Sequence, residues 1–186
     1  QYAGATAGSA SSYTAETFDG TETVFYSGPD GEFACGSGEQ CLALATSGTG
    51  YAENNVLVGP FNFGKALSGT SSRGLSLDSG MEGRWNTIAG FGDGMKVGTF
   101  GSTLHHNEIL WVADDGVELE DVVRNVTAHD NLFTNVGRAL AFAECYAGPC
   151  VAARNIVWNA QVPIKAKVRQ DQTAGFHALN NTLLMS

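Results

Sequence analysis

Leu104-His105-His106-Asn107-Glu108-Ile109, Ala128-His129-Asp130-Asn131-Leu132-Phe133 and Ala152-Ala153-Arg154-Asn155-Ile156-Val157 are one pattern written three times. Each has a small or apolar residue three places before an Asn and an apolar residue two places after it. Working outward, the pattern extends to Trp85-Asn86-Thr87-Ile88 and Asn180-Asn181-Thr182-Leu183, and back to Phe61-Asn62-Phe63. The Asn-to-Asn intervals are then 24, 21, 24, 24 and 26. Alternation about a fixed polar residue means strand, turn, strand, because successive side chains of a strand point to opposite faces. Repetition at a nearly constant period makes each segment one unit of a stack.

A second strand follows in each unit: Gly94–Val97, Gly116–Glu120, Arg138–Phe142 and Pro163–Val168. The apolar alternation places Met95, Val117, Ala139 and Ile164 in one inward column, with Val97, Leu119, Ala141 and Ala166 in the next. Lys96, Glu118, Leu140 and Lys165 then point outward on successive rungs, about 4.8 Å apart. Asp93, Asp114, Asp115 and Arg138 fall at the preceding turn, and Glu120, Phe142 and Lys167 two places on. Short strands at this period, without helical periodicity, suit a parallel β-helix; a leucine-rich repeat would need Leu columns that are missing. Asn suits the turn because its carboxamide bonds backbone and the Asn of the next rung, and it tolerates left-handed φ.

The 186 residues carry a formal charge of −9 and 24 glycines, with 16% charged residues. That length suits one domain, and the composition is that of a loop-rich β protein. No apolar run is long enough to span a membrane, and the absence of a basic cluster argues against nucleic acid as a partner. Residues 1–53 hold seven acids and no Lys, Arg or His, and read as an acidic cap or extension with strands at Glu22–Tyr26 and Cys41–Ala45; residues 54–186 form the repeat domain. Starting at Gln1, without a basic and apolar leader, the chain reads as mature and secreted or as trimmed. Cys35 with Cys41 and Cys145 with Cys150 read as disulfides closing short loops. A zinc site is the alternative, though it lacks a C-x-x-C spacing. Asn125-Val-Thr and Asn180-Asn-Thr are glycosylation sequons.

The Asn column, Ala113-Asp-Asp-Gly-Val-Glu118 and Gly148-Pro-Cys-Val-Ala-Ala-Arg-Asn-Ile-Val-Trp-Asn159 resemble the secreted right-handed parallel β-helix proteins of the pectate-lyase-like superfamily. The resemblance covers residues 54–186 and implies a right-handed helix of about six coils. It also implies an extracellular protein that acts on polysaccharide, as a calcium-assisted lyase or a glycosidase. In the resembled lyases, acids on adjacent coils bind calcium and a Lys or Arg is the base. Asp114 and Asp115 would thus be metal ligands, Lys96 or Lys165 the base, with Glu118 and Arg138 completing the catalytic set. The plainer alternative is an exposed ladder of ion pairs, with Asp114-Asp115-Gly116 as turn chemistry.

His105 and His129 share a column beside Asp130, as a surface stack or as a metal or acid/base pair, whereas His106 and His177 sit at other offsets. Trp85, Trp111, Trp158, Phe142 and Tyr146 are either sugar platforms or packing. The chain closes on Thr182-Leu-Leu-Met-Ser186 without a polar cap. The alternative to an enzyme is therefore a non-catalytic scaffold, adhesin or filament subunit that assembles through its C-terminal rung.

Overall fold

A computed structural model describes residues 14–18, 23–27, 32–34, 40–44, 50–58, 73–98, 100–119, 123–142, 145, 148–166 and 175–185, with side chains from residue 50 onward. The described residues form strands, turns and bends, with no helix. In chain order the strands are β1 (Thr14–Phe18), β2 (Thr23–Ser27), β3 (Glu32–Ala34), β4 (Gln40–Leu44), β5 (Tyr51–Glu53), β6 (Val56–Val58) and β7 (Arg73–Leu77). Then come β8 (Glu82–Arg84), β9 (Thr87–Ala89), β10 (Asp93–Val97), β11 (Thr103–His105), β12 (Glu108–Leu110) and β13 (Asp115–Glu118). The last are β14 (Thr127–His129), β15 (Leu132–Phe142), β16 (Cys150–Ala153), β17 (Ile156–Ala166), β18 (Phe176–Leu179) and β19 (Thr182–Leu184).

These strands stack in three columns and make a parallel β-solenoid. The first column is the sheet β1-β2-β5-β8-β11-β14-β16-β18, parallel except for the antiparallel β1–β2 pair. The second (β3, β6, β9, β12, β19) and third (β4, β7, β10, β13) belong to one sheet, because β15 and β17 run through both. Side chains are described for strands of all three columns from β5 onward; the fold is the parallel β-helix expected, with about four turns where about six coils are expected. Strands β2, β3 and β4 pair in parallel with β5, β6 and β7.

Each column sends one line of side chains inward. Ala52, Gly83, Leu104, Ala128 and Ala152 line the first. Leu57, Ile88, Ile109, Phe133 and Val157 line the second, and all five are fully buried. Each such large apolar side chain contributes about 1.5–3 kcal/mol by leaving water. The third column corrects the expected register at one rung: Met95 pairs with Val117, Val117 with Leu140, and Leu140 with Ile164. Leu140, expected outside, points in, and Phe142, expected on the same outward line as a sugar platform or as packing, is 2% exposed and packs against Phe176. Alternation alone misjudged this rung because Ala139, Leu140, Ala141 and Phe142 are all buried. The Asp-Gly dipeptides there are not turns: Asp93-Gly94 and Asp115-Gly116 lie in β10 and β13. A Cβ on Gly94 would stand 2.9 Å from Ile109, and one on Gly116 2.8 Å from Phe133, so the glycines admit the second column's side chains.

The Asn ladder joins the first column to the second. From Asn55 through Asn86, Asn107, Asn131 and Asn155, each Asn donates its backbone N–H and its Nδ2 to the Oδ1 of the next, ending on Asn181, at 2.9–3.1 Å. From Asn86 onward, Nδ2 also donates to a carbonyl of the preceding coil: Ala52, Gly83, Leu104, Ala128 and Ala152. The member below Asn86 is thus Asn55, 31 residues back, and not Asn62, which lies outside the described residues. The residue before each ladder Asn (Asn54, Trp85, His106, Asp130, Arg154, Asn180) has φ between 53° and 56°, the left-handed conformation that lets the chain change sheets in two residues. At the far end Ala178 and Leu183 are exposed, although they continue columns whose previous members, Ala152 and Val157, are buried.

Candidate functional site

The outer face of the third column gathers the charged residues singled out from the sequence, together with two that reading underweighted. Lys96 pairs with Glu118 across β10 and β13, and Ala141 pairs with Lys165 across β15 and β17. The outward line is therefore Ser76, Lys96, Glu118, Ala141 and Lys165, with Ala141 in place of the expected Leu140. Three residues earlier on each strand stand Arg73, Asp93, Asp115 and Arg138. Arg138, expected at a turn, lies within β15.

Four carboxylates (Asp93, Asp114, Asp115, Glu118) interleave with four cations (Arg73, Lys96, Arg138, Lys165). Lys96 Nζ donates to Glu118 Oε1 at 3.0 Å, and Arg73 Nε lies 3.4 Å from Glu118 Oε2 and 3.7 Å from Asp93. Arg138 bonds Asp114, and also Asp115 Oδ1 at 3.2 Å. Lys165 Nζ is 3.6 Å from Asp115 Oδ2. The Asp115 N–H donates to Asp93 Oδ1 at 3.4 Å. Burial pushes the Asp93 carboxyl above its usual range and Glu118 adds to the push, against the Asp115 N–H, Arg73 and Lys96.

Asp93, Asp114 and Asp115 each bring a carboxylate oxygen within 4.8 Å of the others, a grouping of possible metal ligands among the described residues. Oxygen donors suit calcium, which takes six to eight of them. Here, however, the Arg138 guanidinium already sits on Asp114 and Asp115, with Lys165 beside it. The arrangement therefore fits an internal organic cation rather than a calcium ion.

A second cluster occupies the junction of the first and second columns. His105 and His129 stack with ring centroids 4.9 Å apart and planes 5° from parallel. His105 Nε2 lies 2.5 Å from Glu82, His105 Nδ1 2.7 Å from His106 Nδ1, and His129 Nδ1 2.7 Å from Asp130. Trp85 stacks on His106 at 4.2 Å. Arg154 holds Asp130 through both oxygens, at 2.8 and 2.6 Å, and with His129 keeps that carboxyl well below the usual carboxylate range. Arg84 bonds Glu53 at 2.7 Å and Glu82 at 3.1 Å. Burial opposes ionisation of Glu82, yet its bonds to His105 and Arg84 leave its pKa lowered. His177 stands apart, on β18.

Sequence reading missed Arg73, whose signal was Arg73-Gly-Leu-Ser-Leu77, the same x-Gly-apolar-x-apolar run as Asp93-Gly-Met-Lys-Val97. It also missed Glu82 and Arg84, which reach the histidines only through strand pairing. Trp85, Trp111 and Trp158 are 45–57% exposed. Glu120, Tyr146 and Lys167 lie outside the described residues, as do Cys35 and the side chain of Cys41, while Cys145 and Cys150 are joined in a disulfide. No helix among the described residues is long and apolar enough to cross a membrane. No family model, curated protein or solved structure matches the chain.

Proposed function

We propose that this chain is a secreted, polysaccharide-active β-helix protein of the pectate-lyase-like kind, cleaving a glycosidic bond on the outer face of the third column. The observation that carries the reading is the convergence of Asp93, Asp114 and Asp115 within 4.8 Å, beside Arg138 and Lys165. Two carboxyl groups in different environments are what acid/base cleavage of a glycoside needs. Asp93, its carboxyl raised by burial, protonates the leaving oxygen. Asp115, with an oxygen within 4.8 Å of one on Asp93, stands at the short separation of a retaining pair: it attacks the anomeric carbon as the leaving oxygen takes the Asp93 proton, and Asp93 then takes a proton from the water that releases the sugar from Asp115. Arg138 and Lys165 bind an anionic group of the sugar. Lys96 is bonded to Glu118 and Lys165 faces Asp115, so carboxylates rather than lysines carry the proton, which favours hydrolysis over elimination. The Cys145–Cys150 disulfide supports an oxidising compartment.

The test is a scan of polyuronates and neutral glycans, with and without calcium, reading both new reducing ends and unsaturated-uronate absorbance. Reducing ends without the chromophore, lost in Asp93→Asn and Asp115→Asn, support hydrolysis. A chromophore lost in Lys96→Ala converts the reading to a lyase, and no product on any substrate overturns both. A second reading, an assembling scaffold, is favoured by the exposure of Leu183, Leu184 and Met185. Stacking end to end would set strands of a second copy beside β18 and β19. Sedimentation as a monomer across a wide concentration range defeats it.

A further inference from the structure

We propose that His105 and His106 form a transition-metal site at the junction of the first and second columns, taking an imidazole-preferring ion such as Cu²⁺ or Zn²⁺. It is separate from the carboxylate cluster of the third column.

The two Nδ1 atoms face each other at 2.7 Å, a hydrogen-bond distance that leaves one proton between them. An ion about 2.0–2.1 Å from each nitrogen at a tetrahedral angle needs them roughly 3.3 Å apart. Opening the gap by that little takes only a small rotation of His106, which is exposed. His105 is already oriented for the role: its Nε2 lies 2.5 Å from Glu82, and a carboxylate on the far nitrogen is the usual support of a metal-bound imidazole. Glu82 is itself held by Arg84. His129, stacked on His105 with its Nδ1 on Asp130, is a further imidazole one rung away. Nitrogen donors of this kind select copper, zinc and nickel over calcium.

The proton balance closes within the two rings. With both rings neutral, His105 keeps its proton on Nε2 toward Glu82, and His106 moves its proton from Nδ1 to Nε2 as the ion takes both Nδ1 lone pairs. No proton is then released. Of the charged groups nearby, Glu82 bonds His105 and is paired with Arg84, which also holds Glu53, while His129, stacked on His105, is paired with Asp130, which Arg154 holds.

The experiment is calorimetric titration of the untagged chain with Cu²⁺ and Zn²⁺ in a non-chelating buffer. One ion per chain is expected, with affinity at least about tenfold weaker in His106→Asn, and weaker by about ten- to a hundredfold in Glu82→Gln. Asn tolerates the left-handed φ of 56° at position 106, and an unchanged melting temperature checks that the turn survives. Asp115→Asn should bind as the wild type does. Binding that is equal in wild type and His106→Asn, or that disappears in Asp115→Asn, overturns the proposal. The carboxylate reading stands or falls by its own assay.

Discussion

Replacing Asn107 with Ala removes the middle of the ladder. The Asn107 Oδ1 accepts from the Asn86 N–H and from Asn86 Nδ2, both at 3.0 Å. Its Nδ2 donates to Asn131 Oδ1 and to the Gly83 carbonyl, both at 2.9 Å. After truncation Asn131 Oδ1 keeps the backbone N–H of residue 107, but both Asn86 donors lose their acceptor where water does not reach, since Asn86 and Asn107 are each 1% exposed. A buried orphaned donor costs about 1–3 kcal/mol, so the variant should lose roughly 2–6 kcal/mol. Asn181→Ala removes the same two contacts to Asn155; Asn155 is itself buried, but Asn181 is only half-buried and its neighbours Thr182–Leu184 are exposed, so water can enter the space its side chain leaves, and the loss should be nearer about 1 kcal/mol. Urea unfolding followed by tryptophan fluorescence measures both. Hydrogen exchange should show the Asn86 amide losing protection in the first variant only. Equal losses in the two variants, or a loss under about 1 kcal/mol for Asn107→Ala, would mean that strand pairing alone holds the turn.

Asp93→Asn should raise stability at neutral pH. Because the folded-state pKa of Asp93 is raised, the native chain holds that proton more tightly than the unfolded chain; Asp93 thus adds stability as pH falls toward its unfolded value near 3.9. The wild-type-minus-variant difference in melting temperature should show that rise, while Glu82 and Asp130, shifted downward, contribute the opposite slope to both proteins. Arg138→Ala should let Asp93, Asp114 and Asp115 take calcium, seen as a calcium-dependent rise in melting temperature absent from the wild type; a wild-type rise would show that the guanidinium yields to the ion. The Cys145–Cys150 bridge closes so short a loop that its removal should cost only about 2 kcal/mol, measured by unfolding of Cys145→Ser/Cys150→Ser. Gly116→Ala should cost more than a typical surface change, about 1–3 kcal/mol, because the new Cβ meets Phe133 and the Ala139 carbonyl at 2.8 and 2.7 Å; circular dichroism melts test it.

The solenoid was legible because its signal repeats: one Asn says little, but Asn86, Asn107, Asn131, Asn155 and Asn181 at nearly constant spacing admit few folds. Spacing failed where the repeat is uneven. The connection between β6 and β7 lengthens the Asn55–Asn86 interval to 31, so the evenly spaced Asn62 looked like the better candidate. It failed again at Ala139–Phe142, where four buried residues in a row erase alternation. The charges of the third column were found because Lys96 and Glu118 share a place in the repeat. Arg73 was passed over although Arg73–Leu77 repeats the run Asp93–Val97, and Glu82 was not found because its contact with His105 is fixed by stacking between coils, which local sequence does not encode.

The Asn ladder also has a direction. Every carboxamide passes its hydrogen the same way, from Asn55 toward Asn181, so their dipoles add along the solenoid axis as peptide dipoles do in a helix. Each donor in such a chain is polarised by the bond it accepts, which makes interior carboxamides stronger partners than those at the ends. Asn55 Oδ1, buried and without a hydrogen-bond partner among the described residues, is the negative pole. The column is thus a polar thread, and turning over a single carboxamide would oppose its neighbours on both sides. A coil added in register lengthens the thread without altering its sense, so growth of such a stack keeps its polarity.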